Sequence, residues 1–130
     1  MAITPILPNP ARDAGLRYTP GILASDARRT LYISGQVAID ADGKVPEGIE
    51  AQARQVWRNL EAVLSAAHMT LRDVVKITTF LIDRADFTVN SQVRGEVLAG
   101  HKPASTLVYV SGLVQPEWRI EIEAIAVAAV

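Results

Sequence analysis

At 130 residues the chain is near the commonest domain size, long enough to bury a real core and short for two domains. Thirteen basic and 14 acidic residues, interspersed, leave a net charge of -1, which gives no basic face for nucleic acid. With no cysteine there are no disulfides, thiolate nucleophiles or cysteine metal sites, and two distant histidines, His68 and His101, make no metal cluster.

In chain order, the proline-rich start lacks a basic head and an unbroken apolar run, so it reads as no signal peptide. No later segment is apolar for the roughly 18 residues that a membrane span needs. A soluble cytoplasmic protein, with no nucleic-acid or membrane partner, is the expectation. Residues 1 to 20 read as an extended arm over the surface of a single domain spanning 1–130, ordered in part by a partner subunit. Ile22-Leu23-Ala24 and Thr30 to Ile39 alternate and are β-branched, as strands of one hairpin. Asp40-Ala41-Asp42-Gly43-Lys44 closes the unit as a turn.

From Gly48 to Ala67 the period changes. Ile49, Ala53, Val56, Leu60, Val63, Leu64 and Ala67 form one stripe, which predicts a helix of about 20 residues. Trp57 lies beside the stripe and reads as packing. His68-Met69-Thr70 ends the helix without the usual glycine, and His68 reads as a solvated or capping residue. Val74 to Ile82 is apolar on both faces, as a central strand is. A second helix, Phe87 to Ala99, has imperfectly spaced apolar residues and stops at Gly100, before Pro103. Ser105 to Val110 and Arg119 to Val127 are the last two strands.

The order ββ, helix, β, helix, ββ predicts an α+β sheet with two helices packed on one face. No third helix is available for the other face, so a second copy of the chain is its simplest cover.

Several runs, read together, carry a family resemblance. They are Tyr32-Ile33-Ser34-Gly35-Gln36, Gln52 to Leu60, Asp73 to Leu81, Asp86-Phe87-Thr88-Val89-Asn90, Lys102-Pro103-Ala104-Ser105 and Ile120 to Ala126. In collinear order from about residue 15 to the end, they resemble the Rid, or YjgF, family of reactive intermediate deaminases. The resemblance implies a chorismate-mutase-like sheet and a homotrimer with a barrel-like core. It also implies clefts between subunits that bind a small molecule and hydrolyse enamines or imines without metal or cofactor. By the same resemblance Glu121 orients the attacking water, and Tyr18, Ser34, Gly35 and Asn90 line the cleft.

The chain departs from the family at the residue after Pro103-Ala104. Ser105 stands where an arginine clamps the substrate carboxylate, and Leu107 occupies a position that is often cysteine. One uncharged hydroxyl does not replace a bidentate guanidinium, which puts amino-acid-derived imines in doubt as substrates. Lys102, Arg94 and Arg119 are the cations that could reach in from another direction. Ser105 has no nearby histidine base, so it is no nucleophile.

Each site residue also has a structural reading. Glu121 and Glu123 share a strand face, and either could be an ordinary exposed carboxylate. Gly35 could serve only a bulge, Tyr18 could anchor the arm, and Asn90 could bond local backbone. Two functions stay open: hydrolytic deamination of an atypical substrate, or a non-catalytic ligand-binding or regulatory trimer that kept the cleft and lost the clamp. A ribonuclease activity, attached to some relatives, is disfavoured by the neutral charge and the lack of a histidine pair.

Overall fold

The structure is a computed structural model that describes all residues from Met1 to Val130. Strand β1 (Ala2–Ile6) leads into a one-turn helix α1 (Pro10–Asp13), then strands β2 (Gly21–Ser25) and β3 (Arg29–Val37). Helix α2 (Ile49–Ala66), strand β4 (Val74–Leu81), helix α3 (Phe87–Leu98) and strands β5 (Ala104–Tyr109) and β6 (Ile120–Ala128) follow. Two short 3-10 turns, Leu71–Asp73 and Arg84–Asp86, lead into β4 and α3. No helix is long and apolar enough to cross a membrane.

Four strands form the main sheet in the order β3-β6-β4-β5, antiparallel except for the β4–β5 pair. The parallel pair needs a crossover, and α3 supplies it. Because side chains alternate along a strand, the sheet has two distinct faces. Ile33, Ile77, Leu81, Ile120, Ile122, Ala124 and Ala126 are buried on one, against Val56, Trp57, Leu60 and Leu64 of α2. Tyr32, Phe80, Val108, Glu121, Glu123 and Ile125 point to the other, where Tyr32 keeps 75% of its surface in solvent. The predicted α+β sheet with its long helices on one face is what forms, with α1 as a small addition.

Two expectations fail at the N-terminus. Residues 22–24 do not form a hairpin with 30–39: β2 pairs with β1, antiparallel, in a separate two-stranded sheet, while β3 pairs with the distant β6. Asp26 turns between β2 and β3 in a left-handed conformation, with φ 58°, and this sends β3 away from β2. The arm, in turn, is not simply extended. Its prolines are compatible with an edge strand and with the start of a helix, and Pro10 opens α1. Asn9 caps that turn by accepting from the Arg12 N–H, and Asp13 accepts from the Asn9 N–H at 2.9 Å. Asp13 is 2% exposed, and its hydrogen bond to Arg12 and the one from Asn9 hold its carboxyl below the usual carboxylate range.

Helix α2 ends on His68 in the left-handed region, φ 57°. The Met69 N–H reaches the Leu64 carbonyl and the His68 N–H reaches Ser65, so the chain closes a Schellman motif around a histidine in place of glycine. The weak periodicity of α3 also has a cause: its buried face includes Asn90 and Ser91 beside Val93 and Leu98. Polar residues there break the apolar stripe that pattern reading seeks.

Candidate functional site

One half of the site is a bulge. Ile33 pairs with Ala124 and Gln36 with Ile122, so β3 carries one residue more than β6 across Ser34-Gly35. The Gln36 amide donates to the Ser34 carbonyl at 3.1 Å, and Asn59 of α2 donates to the carbonyls of Val37 and Ile39, fixing the strand beyond the bulge. Glu121 lies over Gly35. A Cβ on Gly35 would stand 2.8 Å from the Glu121 carboxyl carbon and 3.0 Å from its Cγ, closer than real side chains pack. The glycine therefore makes room for the carboxylate as well as for the bulge. Glu121 is half-buried and forms no hydrogen bond or ion pair within the chain, which leaves its oxygens free for water.

The other half is a cleft beside α3. It has a volume of about 620 Å³ and is lined by Arg17, Tyr18, Phe87, Thr88, Ser91 and Arg94 among others. Arg94 spans from α3 to β5, where its Nη1 donates to Ser105 Oγ at 3.3 Å. Burial first, and the nearby charge of Arg17 second, push the Arg94 guanidinium below its usual range. It stays protonated near neutral pH, as arginine does. Arg17 is held by Ser91, Nη1 to Oγ, at 3.0 Å.

The three cations that could stand in for an arginine at position 105 are thus told apart. Arg119 is committed to Asp86, which accepts from its Nε at 3.1 Å and its Nη2 at 2.6 Å. Lys102 stays exposed, with its Nζ 3.5 Å from the Ala14 carbonyl. Only Arg94 meets Ser105.

Of the remaining site residues, Asn90 is 1% exposed and its Oδ1 has no partner, so it does not cap local backbone through that oxygen. Leu107 packs on the core beside Thr79. Ser34 is exposed at the bulge. Tyr18 is 38% exposed at the cleft mouth.

Within one chain the two halves do not meet. Ser105 pairs with Ile77 and shares the helix-covered face, whereas Glu121 pairs with Phe80 on the open face. The reading that sets Glu121 opposite position 105 in one pocket requires two copies of the chain, because the sheet stands between them. Sequence reading missed Arg17, Ser91 and Phe87 as lining residues; their places next to Tyr18, Asn90 and Asp86 were the available signal.

Residues 10–128 match the family described as Endoribonuclease L-PSP. The chain belongs to that family, the YjgF/Rid proteins. It is 41% identical over 101 residues to a 2-iminobutanoate/2-iminopropanoate deaminase of Mus musculus, covering 76% of this chain and 74% of the relative. The crystal structure of the Rid-family protein YyfB of Yersinia pestis superposes with a TM-score of 0.84 at 33% identity, covering 98% of this chain and 100% of the other. Escherichia coli TdcF, solved with bound serine, superposes with a TM-score of 0.73 at 30% identity, covering 85% and 87%. Deaminases among the relatives support imine deamination at the level of the Rid family.

Proposed function

We propose that this Rid-family chain hydrolyses an enamine or imine to a keto compound and ammonia, in a cleft between two copies of the chain. The observation that carries the reading is the Glu121 carboxylate seated on the Gly35 bulge, half-buried and free of any internal partner. A carboxylate so placed holds a water by one proton and aims its oxygen. An enamine first tautomerises to the imine, gaining a proton at carbon and losing one from nitrogen. Water then adds to the C=N carbon, and Glu121 takes one of its protons and returns it to the nitrogen, giving the carbinolamine. Glu121 next moves the remaining hydroxyl proton to the nitrogen as the C–N bond breaks, so that ammonia leaves as the C=O forms.

The open sheet face favours the two-copy cleft. Tyr32, Phe80, Val108 and Ile125 give it an apolar band beside Glu121, Glu123 and Lys76, and a second copy there would bring foreign side chains to Glu121. Serine bound to TdcF is consistent with a small amino-acid-like ligand in this family.

The test is decay of 2-aminoacrylate generated in situ by a dehydratase. The expected result is faster decay with the protein than without it, reduced about a hundredfold in Glu121→Gln. Decay unaffected by the wild-type protein across a panel of amino-acid-derived imines overturns the hydrolytic reading and leaves a non-catalytic binding trimer.

A further inference from the structure

Arg17 and Arg94 are the two guanidiniums of this chain that meet in a cleft with no carboxylate to neutralise them. Arg12, Arg54 and Arg119 are each paired with an acid. Arg17 and Arg94 are held only by hydroxyls, at Ser91 and Ser105. Ser91 and Arg94 are three residues apart on α3 and so share one helix face, which brings both guanidiniums to the same wall. That wall borders two clefts: the one that opens at Tyr18, and a second of about 440 Å³ lined further by Gly95, His101 and Lys102. The acid nearby is Glu96, and its carboxylate accepts from Arg54 at 2.9 Å. Two like charges beside each other in a partly buried site cost free energy that an anion would return. A hydroxyl orients a guanidinium without quenching it, so both forks keep free N–H donors for an oxyanion.

We propose that Arg17 and Arg94 form a two-point clamp for a ligand with two carboxylates, so that the substrate class is the imine or enamine of an acidic, dicarboxylic amino acid. The substrate class rests on the hydrolytic reading above; the anion clamp can be tested apart from it. A ligand with one carboxylate would neutralise one fork and leave the other in place. The two forks are anchored at different hydroxyls, one on α3 and one on β5, which suits two separated carboxylates better than one compact phosphate. Ser105 becomes the residue that makes this possible: an arginine there would meet Arg94 head-on, whereas a serine accepts its hydrogen bond. Arg94 acts as the substrate-binding cation and Ser105 as its positioning residue.

The experiment is calorimetric titration of the full-length protein with three probes: 2-oxobutanoate, 2-oxoglutarate and inorganic phosphate. In the wild type 2-oxoglutarate binds at least tenfold tighter than 2-oxobutanoate and tighter than phosphate. Arg17→Met removes most of that preference while changing 2-oxobutanoate affinity little, and Arg94→Met weakens both keto acids about tenfold or more. Ser105→Ala retains the charge but loosens its aim, lowering 2-oxoglutarate affinity less than Arg94→Met does. Equal affinity for the two keto acids in the wild type, or phosphate as the tightest probe, overturns the clamp and needs no variant. So does a dicarboxylate preference that survives both arginine substitutions. Glu121→Gln separates the two readings: it lowers turnover about a hundredfold while the dicarboxylate preference stays. A preference for 2-oxoglutarate without turnover of any imine would refute hydrolysis and leave the clamp; turnover without the preference would do the reverse.

Discussion

Gly35 lies beneath the Glu121 carboxylate, with no room between them for a methyl group. The atoms that a side chain at position 35 would meet are the far end of a flexible glutamate, so the clash is relieved by moving Glu121 and not the backbone. Gly35→Ala is therefore expected to cost less than about 1 kcal/mol of stability while lowering imine hydrolysis at least tenfold. Thermal unfolding together with turnover of the same preparation checks this. A variant as active as the wild type would show that the position of the carboxylate does not matter.

Asp86 and Arg119 close the loop that leads into β6. Asp86 is 3% exposed at its side chain and takes both hydrogen bonds, while Arg119 is 36% exposed. Buried Gln52 braces the same loop, donating to the Pro46 and Glu117 carbonyls and accepting from the Arg119 N–H. Arg119→Ala strands a buried carboxylate. After allowance for solvent at the arginine, the expected loss is about 2 kcal/mol in urea unfolding. A loss under about 0.5 kcal/mol would mean that Asp86 finds water instead.

Much of this fold was legible because burial imposes period. The stripe from Ile49 to Ala67 and the two-sided apolar run of β4 predicted α2 and the central strand to within a residue or two. The pairing of β2 was not legible, since alternation in Ile22-Leu23-Ala24 says that a strand forms and not which neighbour it takes. That choice depended on Asp26 adopting a positive φ, which asparagine and aspartate tolerate without announcing it. At the site, Gly35 and Glu121 could be named from the family pattern. The Arg94–Ser105 contact could not be fixed, because it joins a helix to a strand through a long side chain whose tip sequence does not place. The separation of Ser105 and Glu121 onto opposite sheet faces was implicit in strand parity, but only once the register of β4 with both neighbours was known.

His68 occupies the left-handed end of α2 at φ 57°, a conformation that costs a side-chain-bearing residue about 1–2 kcal/mol. Its side chain is exposed, so little packing would be lost on removing it. His68→Gly relieves the strain but adds freedom to the unfolded chain, which returns about 0.4–1 kcal/mol of the gain. The net expectation is a stabilisation of up to about 1 kcal/mol, read as a rise of a few degrees in Tm. A fall in Tm would show that the histidine contributes contacts of its own.

Asp13 couples the arm to pH. Its carboxyl is held below the ordinary range by Arg12 and by the Asn9 N–H. A carboxyl whose folded pKa is depressed stabilises the fold fully above its unfolded value, near 3.9, and loses that contribution as pH falls through the folded value. The arm is thus expected to keep its shape through mildly acidic pH and to loosen only below the usual aspartate midpoint. Titration of the Asn9 amide shift by NMR should give a midpoint below that of a model aspartate, and Asp13→Asn should abolish it. A midpoint at or above the model value would contradict the hydrogen bond.

Tyr32 projects from the edge strand β3 on the face that no helix covers, 75% exposed and paired with Ile125 of β6. Phe80 and Val108 extend the same surface along β4 and β5. Exposed apolar side chains of this kind are stable in water when another copy lies on them, and a new charge among them is costly to bury there. Tyr32→Glu should therefore leave the single chain folded, since the ring contributes little to the core, and shift sedimentation from a multiple of 14.0 kDa towards the mass of one chain. Because Glu121 and Ser105 lie on opposite faces of one sheet, the same substitution should abolish imine hydrolysis without touching either residue. An active monomer would overturn the two-copy site, and a wild-type protein that sediments at 14.0 kDa would do so without any substitution.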